Sequence, residues 1–202
     1  MFNSFYVLKN KFPWIVLQTI QTGPFLCGGV LVASKYVVTA AHCTYFDDHN
    51  TQPLLPSDIK ITLGEHDRSI RGEGVLKEKT VGVVKIFRHE KFNTYTIAND
   101  IAVLELSEDV DLETYTPVCF PKTSDTNSFY GKVAEAYGWG RTKFMGQVSD
   151  KLLTVRLPVV GPSNSDCRKS MAEYHDGKIC AGGTKGKDAC QVAVKNEISN
   201  LL

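Results

Sequence analysis

A succession of short runs rich in β-branched and aromatic residues, each cut off by a turn-rich segment, restricts this chain more than any other feature. The runs are Ile15 to Ile20, Val30 to Ser34, Tyr36 to Thr39, Ile59 to Leu63, Val81 to Phe87 and Ile101 to Leu106. No useful length of helical periodicity interrupts them. Short strands at this spacing predict an all-β chain, an antiparallel sandwich or barrel. Asp111 to Asn127 is polar, carries Pro117 and Pro121, and lacks apolar periodicity, so it reads as a connection. A second strand set is predicted over Lys132 to Tyr137, Leu152 to Val160 and Lys178 to Ala181, with a short helix over Ser163 to Met171 that Ser163 could cap. There is no internal repeat and no low-complexity tract.

Composition narrows the function classes. With 202 residues, 43% hydrophobic and 22% charged, the chain has an ordinary globular composition for one large or two small domains. Its 23 basic and 22 acidic residues leave a formal net charge of +1, which builds no surface for a polyanion, so no nucleic acid partner is expected. No apolar run approaches the roughly 20 residues of a membrane helix, so no membrane partner is expected either. Met1 to Lys11 is broken by polar residues and lacks a small-residue cleavage site, so as written it is not expected to serve as an export signal.

Two stretches carry chemistry. Val37-Val38-Thr39-Ala40-Ala41-His42-Cys43 runs a β-branched strand into small residues and then a histidine, with Cys27-Gly28-Gly29 one hairpin earlier. Histidine is the commonest general base near neutral pH because its unperturbed pKa of about 6.5 lies close to working conditions. Asp100 opens the apolar run Ile101-Ala102-Val103-Leu104, so its carboxylate enters surroundings where it needs a hydrogen-bonding partner. On the residues alone, a capping or buried His42 and a turn-capping Asp100 remain open. The chain's 6 cysteines form neither a CxxC pair nor a histidine-cysteine zinc pattern, so disulfides are the better reading and no metal site is expected from them.

These stretches resemble the trypsin/chymotrypsin serine proteases, in that family's order, from about Phe12 to Gln191. The resemblance rests on Phe12-Pro13-Trp14, Cys27-Gly28-Gly29, Thr39-Ala40-Ala41-His42-Cys43, Asn99-Asp100-Ile101-Ala102-Val103-Leu104, Pro117-Val118-Cys119 and Gly138-Trp139-Gly140. Ile179-Cys180-Ala181-Gly182-Gly183 and Lys187-Asp188-Ala189-Cys190-Gln191 complete it. It implies a double antiparallel β-barrel: a first barrel over 12–110, a connection over 111–127, and a second, incomplete barrel over 128–191. Segments 1–11 and 192–202 are expected to fall outside the family pattern.

The resemblance also implies roles. His42 would be the general base and Asp100 the acid that orients it, as in the Ser-His-Asp template, whose worked example is this family. Asp188 would lie at the base of the primary specificity pocket, where a buried carboxylate selects an arginine or lysine side chain. Disulfides Cys27–Cys43 and Cys167–Cys180 match pairs the family forms. Cys119 would bond an amino-terminal module, and Cys190 a cysteine further downstream. Such bonds imply a secreted, extracellular setting. Where the family continues with Gly-Asp-Ser-Gly-Gly-Pro, this chain reads Val192-Ala193-Val194-Lys195-Asn196-Glu197, and no serine stands in a Gly-x-Ser-x-Gly elbow. The family's activating Ile-Val-Gly-Gly terminus is absent too, since Ile15-Val16 continues as Leu17-Gln18. The expectation is therefore a trypsin-like endopeptidase domain acting on protein or peptide substrates at Arg/Lys, incomplete and inactive as written, or alternatively a non-catalytic homologue that binds or acts as a decoy. No cofactor is required. Leu63-Gly64-Glu65-His66-Asp67 opens a loop that in trypsins can hold calcium, with Glu65 in one ligand position and Glu73 and Glu78 out of register.

Overall fold

The computed structural model describes residues 5–6, 8, 11–21, 23, 26–46, 52–70, 76–120, 122, 125–141, 146–161, 163–165, 179–182 and 193–194. The chain forms two compact units, Leu8–Val118 and a second made of Met1–Val7 with Cys119–Leu202.

Within Leu8–Val118 the strands are β2 (Ile15–Ile20), β3 (Leu26–Ala33), β4 (Tyr36–Thr39), β5 (Ile59–Leu63), β6 (Lys79–Arg88) and β7 (Ala102–Leu106). They close a barrel in the order β2-β3-β4-β7-β6-β5, with every pairing antiparallel. Closure removes the sheet edges that would otherwise pair with other chains. Alternation sets the inside: Ile59, Ile61 and Leu63 of β5 and Ala102, Leu104 and Leu106 of β7 are buried, with Lys60, Thr62 and Val103 less so. Val16, Leu31, Val37, Val81, Leu104 and Tyr115 belong to one apolar core. In β6 the alternation slips because the register shifts between Val83 and Lys85, leaving Val84 and Lys85 both exposed.

β3 starts earlier than the apolar run beginning at Val30 suggested, and takes in Cys27-Gly28-Gly29. Glycine weakens strand propensity, but here it is required for packing. A Cβ on Gly29 would lie 2.8 Å from Val37 Cγ1 and 2.9 Å from the Val38 carbonyl oxygen, so no side chain fits where β3 crosses β4. Beyond β7 the chain stays on the barrel. Val110 N–H donates to Ser34 O at 2.8 Å and Val118 N–H to Leu31 O at 2.9 Å, and Val110, Tyr115 and Val118 are buried.

The second unit builds a five-stranded sheet from β1 (Phe5–Tyr6), β8 (Val133–Gly138), β9 (Leu153–Val160), β10 (Cys180–Ala181) and β11 (Ala193–Val194). The order is β1-β9-β8-β11, with β10 also paired to β9. Among the described residues this sheet does not close. Ala136, Val155 and Leu157 form its apolar cluster, and Glu135 and Arg156, directly opposite each other, form an ion pair at 3.1 Å. Strands from both terminal segments join the sheet. In the segment 1–11, Phe5 and Tyr6 pair with Thr154 and Leu153. In the segment 192–202, Ala193 and Val194 pair with Gly138 and Tyr137. In both cases main-chain hydrogen bonding to an open strand requires no sequence motif, so a motif search does not find it. The helix expected over Ser163 to Met171 falls almost wholly outside the described residues.

Candidate active site

β4 ends at the buried Thr39, and after Ala40 and Ala41 the chain tightens into a 3-10 turn over His42–Thr44. Small residues allow that close turn: Cys43 N–H reaches Ala40 O at 3.2 Å and Thr44 N–H reaches Ala41 O at 2.9 Å. The Cys27–Cys43 disulfide ties the turn to β3, with the two Cα atoms 6.1 Å apart.

Sheet pairing brings the acid alongside. Thr39 of β4 lies opposite Ala102 of β7, so Asp100, two residues ahead of Ala102, arrives beside the turn that follows Thr39. The segment leading to it is shaped by left-handed residues, Ile97 with φ 51° and Asn99 with φ 56°. Asn99 tolerates this region, and its Nδ2 donates to Lys91 O at 2.9 Å.

Asp100 then meets His42 twice. The His42 backbone N–H donates to Oδ1 at 2.8 Å, and Nδ1 of the ring lies 2.7 Å from Oδ2. A carboxylate accepts only, so Nδ1 carries a proton, and in the neutral imidazole the lone pair then lies on Nε2. The ring is half exposed and Asp100 mostly covered, at 49% and 20% of side-chain area. A half-exposed imidazole whose Nδ1 is held by a carboxylate can, in its neutral form, take a proton at Nε2 from a hydroxyl brought to it. Nε2 itself lies 3.5 Å from Cys43 Sγ. Cys27, His42 and Cys43 place their ligand atoms within 4.8 Å of one another, but both sulfurs are spent in the disulfide, which leaves no thiolate for a metal.

His42, Asp100, Cys27 and Cys43 are thus brought together. Asp188, Cys167 and Cys190 lie outside the described residues. Cys180 is disulfide-bonded, while Cys119 is an exposed free thiol. In the loop singled out for calcium, Glu65 Oε1 accepts the His66 N–H at 3.0 Å and Asp67 Oδ1 accepts from Ser69 N–H and Oγ at 3.0 and 2.5 Å. Glu73 lies outside the described residues.

Two residues around the turn escaped sequence reading. Gln18 of β2 is fully buried, and its Nε2 donates to Cys43 O at 2.6 Å. Arg88, the last residue of β6, donates from Nε to Thr44 Oγ1 at 2.7 Å and from Nη2 to Thr44 O and Leu54 O, each at 2.9 Å. Burial lowers the Arg88 pKa from its ordinary value, and the guanidinium stays charged at any working pH. Nothing in the sequence distinguishes either residue from an outward-facing polar side chain on a strand.

Residues 5–192 match the family model described as Trypsin. The chain is 36% identical over 198 residues to Serine protease filzig of Drosophila melanogaster, covering 90% of this chain and 11% of that protein. It is 33% identical over 203 residues to Mannan-binding lectin serine protease 1 of Rattus norvegicus, covering 94% of this chain and 28% of that protein. It is 37% identical over 169 residues to Trypsin-1 of Astacus astacus, covering 82% of this chain and 66% of that protein. The chain therefore spans about a tenth to about a quarter of the length of the first two relatives.

Proposed function

Because this chain belongs to the trypsin family of serine proteases, we propose that it carries the base and the acid of a serine endopeptidase site that cleaves peptide bonds after arginine or lysine. The observation that carries this reading is the two-point contact between Asp100 and His42. In that role Asp100 holds the proton on Nδ1 and stabilises the imidazolium, while Nε2 accepts the proton of an attacking serine hydroxyl and returns it to the leaving amine. Asp188 would supply the buried charge that selects a cationic side chain. The Cys27–Cys43 disulfide favours an oxidising, extracellular setting. The exposed thiol of Cys119 suits a disulfide to an amino-terminal module.

Within these 202 residues no serine stands in a Gly-Asp-Ser or Gly-x-Ser-x-Gly setting, and the backbone donors that would flank it are missing with it. The 202-residue polypeptide is therefore expected to be inactive as such, and the second reading, a non-catalytic homologue that binds or acts as a decoy, draws on the same observation. The test is incubation of the purified polypeptide with arginyl and lysyl amide substrates and with an organophosphonate probe, followed by intact mass. No turnover and no adduct are expected. Covalent labelling of any serine would overturn the inactivity. Rapid turnover without a labelled serine would overturn the assignment of mechanism.

A further inference from the structure

We propose that Arg88, working with buried Gln18, is a positioning residue for the His42–Asp100 pair: the two side chains clamp the carbonyl oxygens that directly follow His42 and fix the imidazole against the carboxylate. The proposal rests on the base-acid reading above.

Arg88 touches both halves of the pair's support. Its main chain, at the end of β6, lies opposite Ala102, so it is bonded into the strand that Asp100 leads. Its guanidinium reaches the other way, into the turn that carries His42. There it takes Thr44 Oγ1, Thr44 O and Leu54 O as acceptors and lies 5.2 Å from the centre of the Tyr45 ring. A planar fork with donors in fixed directions can hold three acceptors in one geometry, which a lysine ammonium on a flexible stem does not do. Thr44 is fully buried and passes the constraint on, since its hydroxyl donates to Ala41 O at 2.7 Å, on the residue before His42.

Gln18 holds the turn from the barrel interior. It shares the inward parity of Val16 and Ile20 on β2, both buried. Its Nε2 donates to Cys43 O, while its Oε1 faces Thr39 Oγ1 at 3.1 Å, and that hydroxyl also reaches Gly28 O at 2.8 Å. The carbonyls of Cys43 and Thr44 are therefore each held by a side chain from a different strand. Barrel closure does not by itself demand this arrangement, and the donors also satisfy the carbonyl oxygens they hold, Cys43 O from Gln18 and Thr44 O and Leu54 O from Arg88. What the clamp adds is a fixed distance between base and acid, where a displacement on the order of 1 Å costs about a hundredfold in rate.

The test reads the imidazole directly, by ¹⁵N-histidine NMR on the full 202-residue chain, with His42 assigned by loss of its signals in His42→Gln. In the parent, His42 should show the Nδ1–H tautomer, with slow exchange of that proton. Arg88→Met and Thr44→Val should mix the tautomers and speed exchange at least about tenfold, the equivalent of weakening the closed arrangement by about 1.4 kcal/mol. Thr44→Ser, which keeps the hydroxyl, should restore the parent signature. Gln18→Leu, which removes the donor to Cys43 O, should disturb the His42 signature in the same direction. If Arg88→Met lowers the melting temperature yet leaves the His42 signature unchanged, Arg88 is merely structural and the proposal fails. Should Arg88→Met not fold, the Thr44→Val and Thr44→Ser pair decides, and equal signatures in both would also overturn it. If Asp100→Asn leaves the parent signature unchanged, it is the base-acid reading that has failed, independently of the clamp.

Discussion

Asp100 holds His42 by main chain and side chain at once, Oδ1 on the backbone N–H at 2.8 Å and Oδ2 at 2.7 Å from Nδ1. The two residues stand 58 positions apart in sequence, and the pairing of β4 with β7 delivers one to the other. Because the imidazole is half exposed, water competes for its side of the contact, and the pair's worth to stability is small even though its worth to geometry is large. Asp100→Ala is therefore expected to cost about 1 kcal/mol, mostly through the orphaned His42 N–H. Urea unfolding should show a lower midpoint with an unchanged slope. A loss several times larger would mean that Asp100 acts chiefly as a structural cap.

Gly29→Ala tests the tightest crossing in the barrel. The added methyl would meet Val37 Cγ1, the Val38 carbonyl and Val16 Cγ2 at 2.8, 2.9 and 3.2 Å, and the carbonyl belongs to a paired strand that cannot yield. A cost of about 1 to 3 kcal/mol is expected from overpacking alone. A thermal melt would check this, and an unchanged melting temperature would show that β3 and β4 can separate without penalty.

The Cys27–Cys43 link closes a loop with a sequence separation of 16. On the chain-entropy model, removing it by the double change Cys27→Ala and Cys43→Ala costs roughly 3 kcal/mol. Reduction of the parent by thiol should lower stability at least as much, since it also opens the disulfide of Cys180. If the double variant melts like the oxidised parent, the turn after β4 is held by Gln18 and Arg88 without help from the sulfurs.

How much of this was legible in the sequence depends on the kind of contact. The run Ile59 to Leu63 was legible as a strand and is β5, and His42 and Asp100 stood in motifs whose order matched a known family. Gln18 was hidden because strand parity alone cannot say that a polar residue faces inward; only the position of the Cys43 carbonyl and the Thr39 hydroxyl makes a glutamine acceptable there. Arg88 reads as a cation fraying the end of β6, and its three acceptors come from segments far along the chain. Phe5 and Tyr6 were missed because pairing with β9 uses their backbone and leaves both side chains exposed.

The last expectation concerns alkaline pH. Tyr115 is buried in the barrel core, and its hydroxyl donates to Lys77 O. Burial raises its pKa above the ordinary 10.0, with Lys79 pulling it down and Asp111 adding to the rise. The folded state thus keeps the phenol proton at a pH where the unfolded chain has released it. The contribution to stability is present in full below the ordinary value, and it is lost as pH climbs from there through the raised one. Melting temperatures measured across that interval should fall for the parent. Tyr115→Phe should start lower by about 1 kcal/mol, for the lost hydrogen bond, and then fall less steeply, so that the two curves converge as pH rises. Parallel curves would place the alkaline loss in other groups and contradict the assignment to Tyr115.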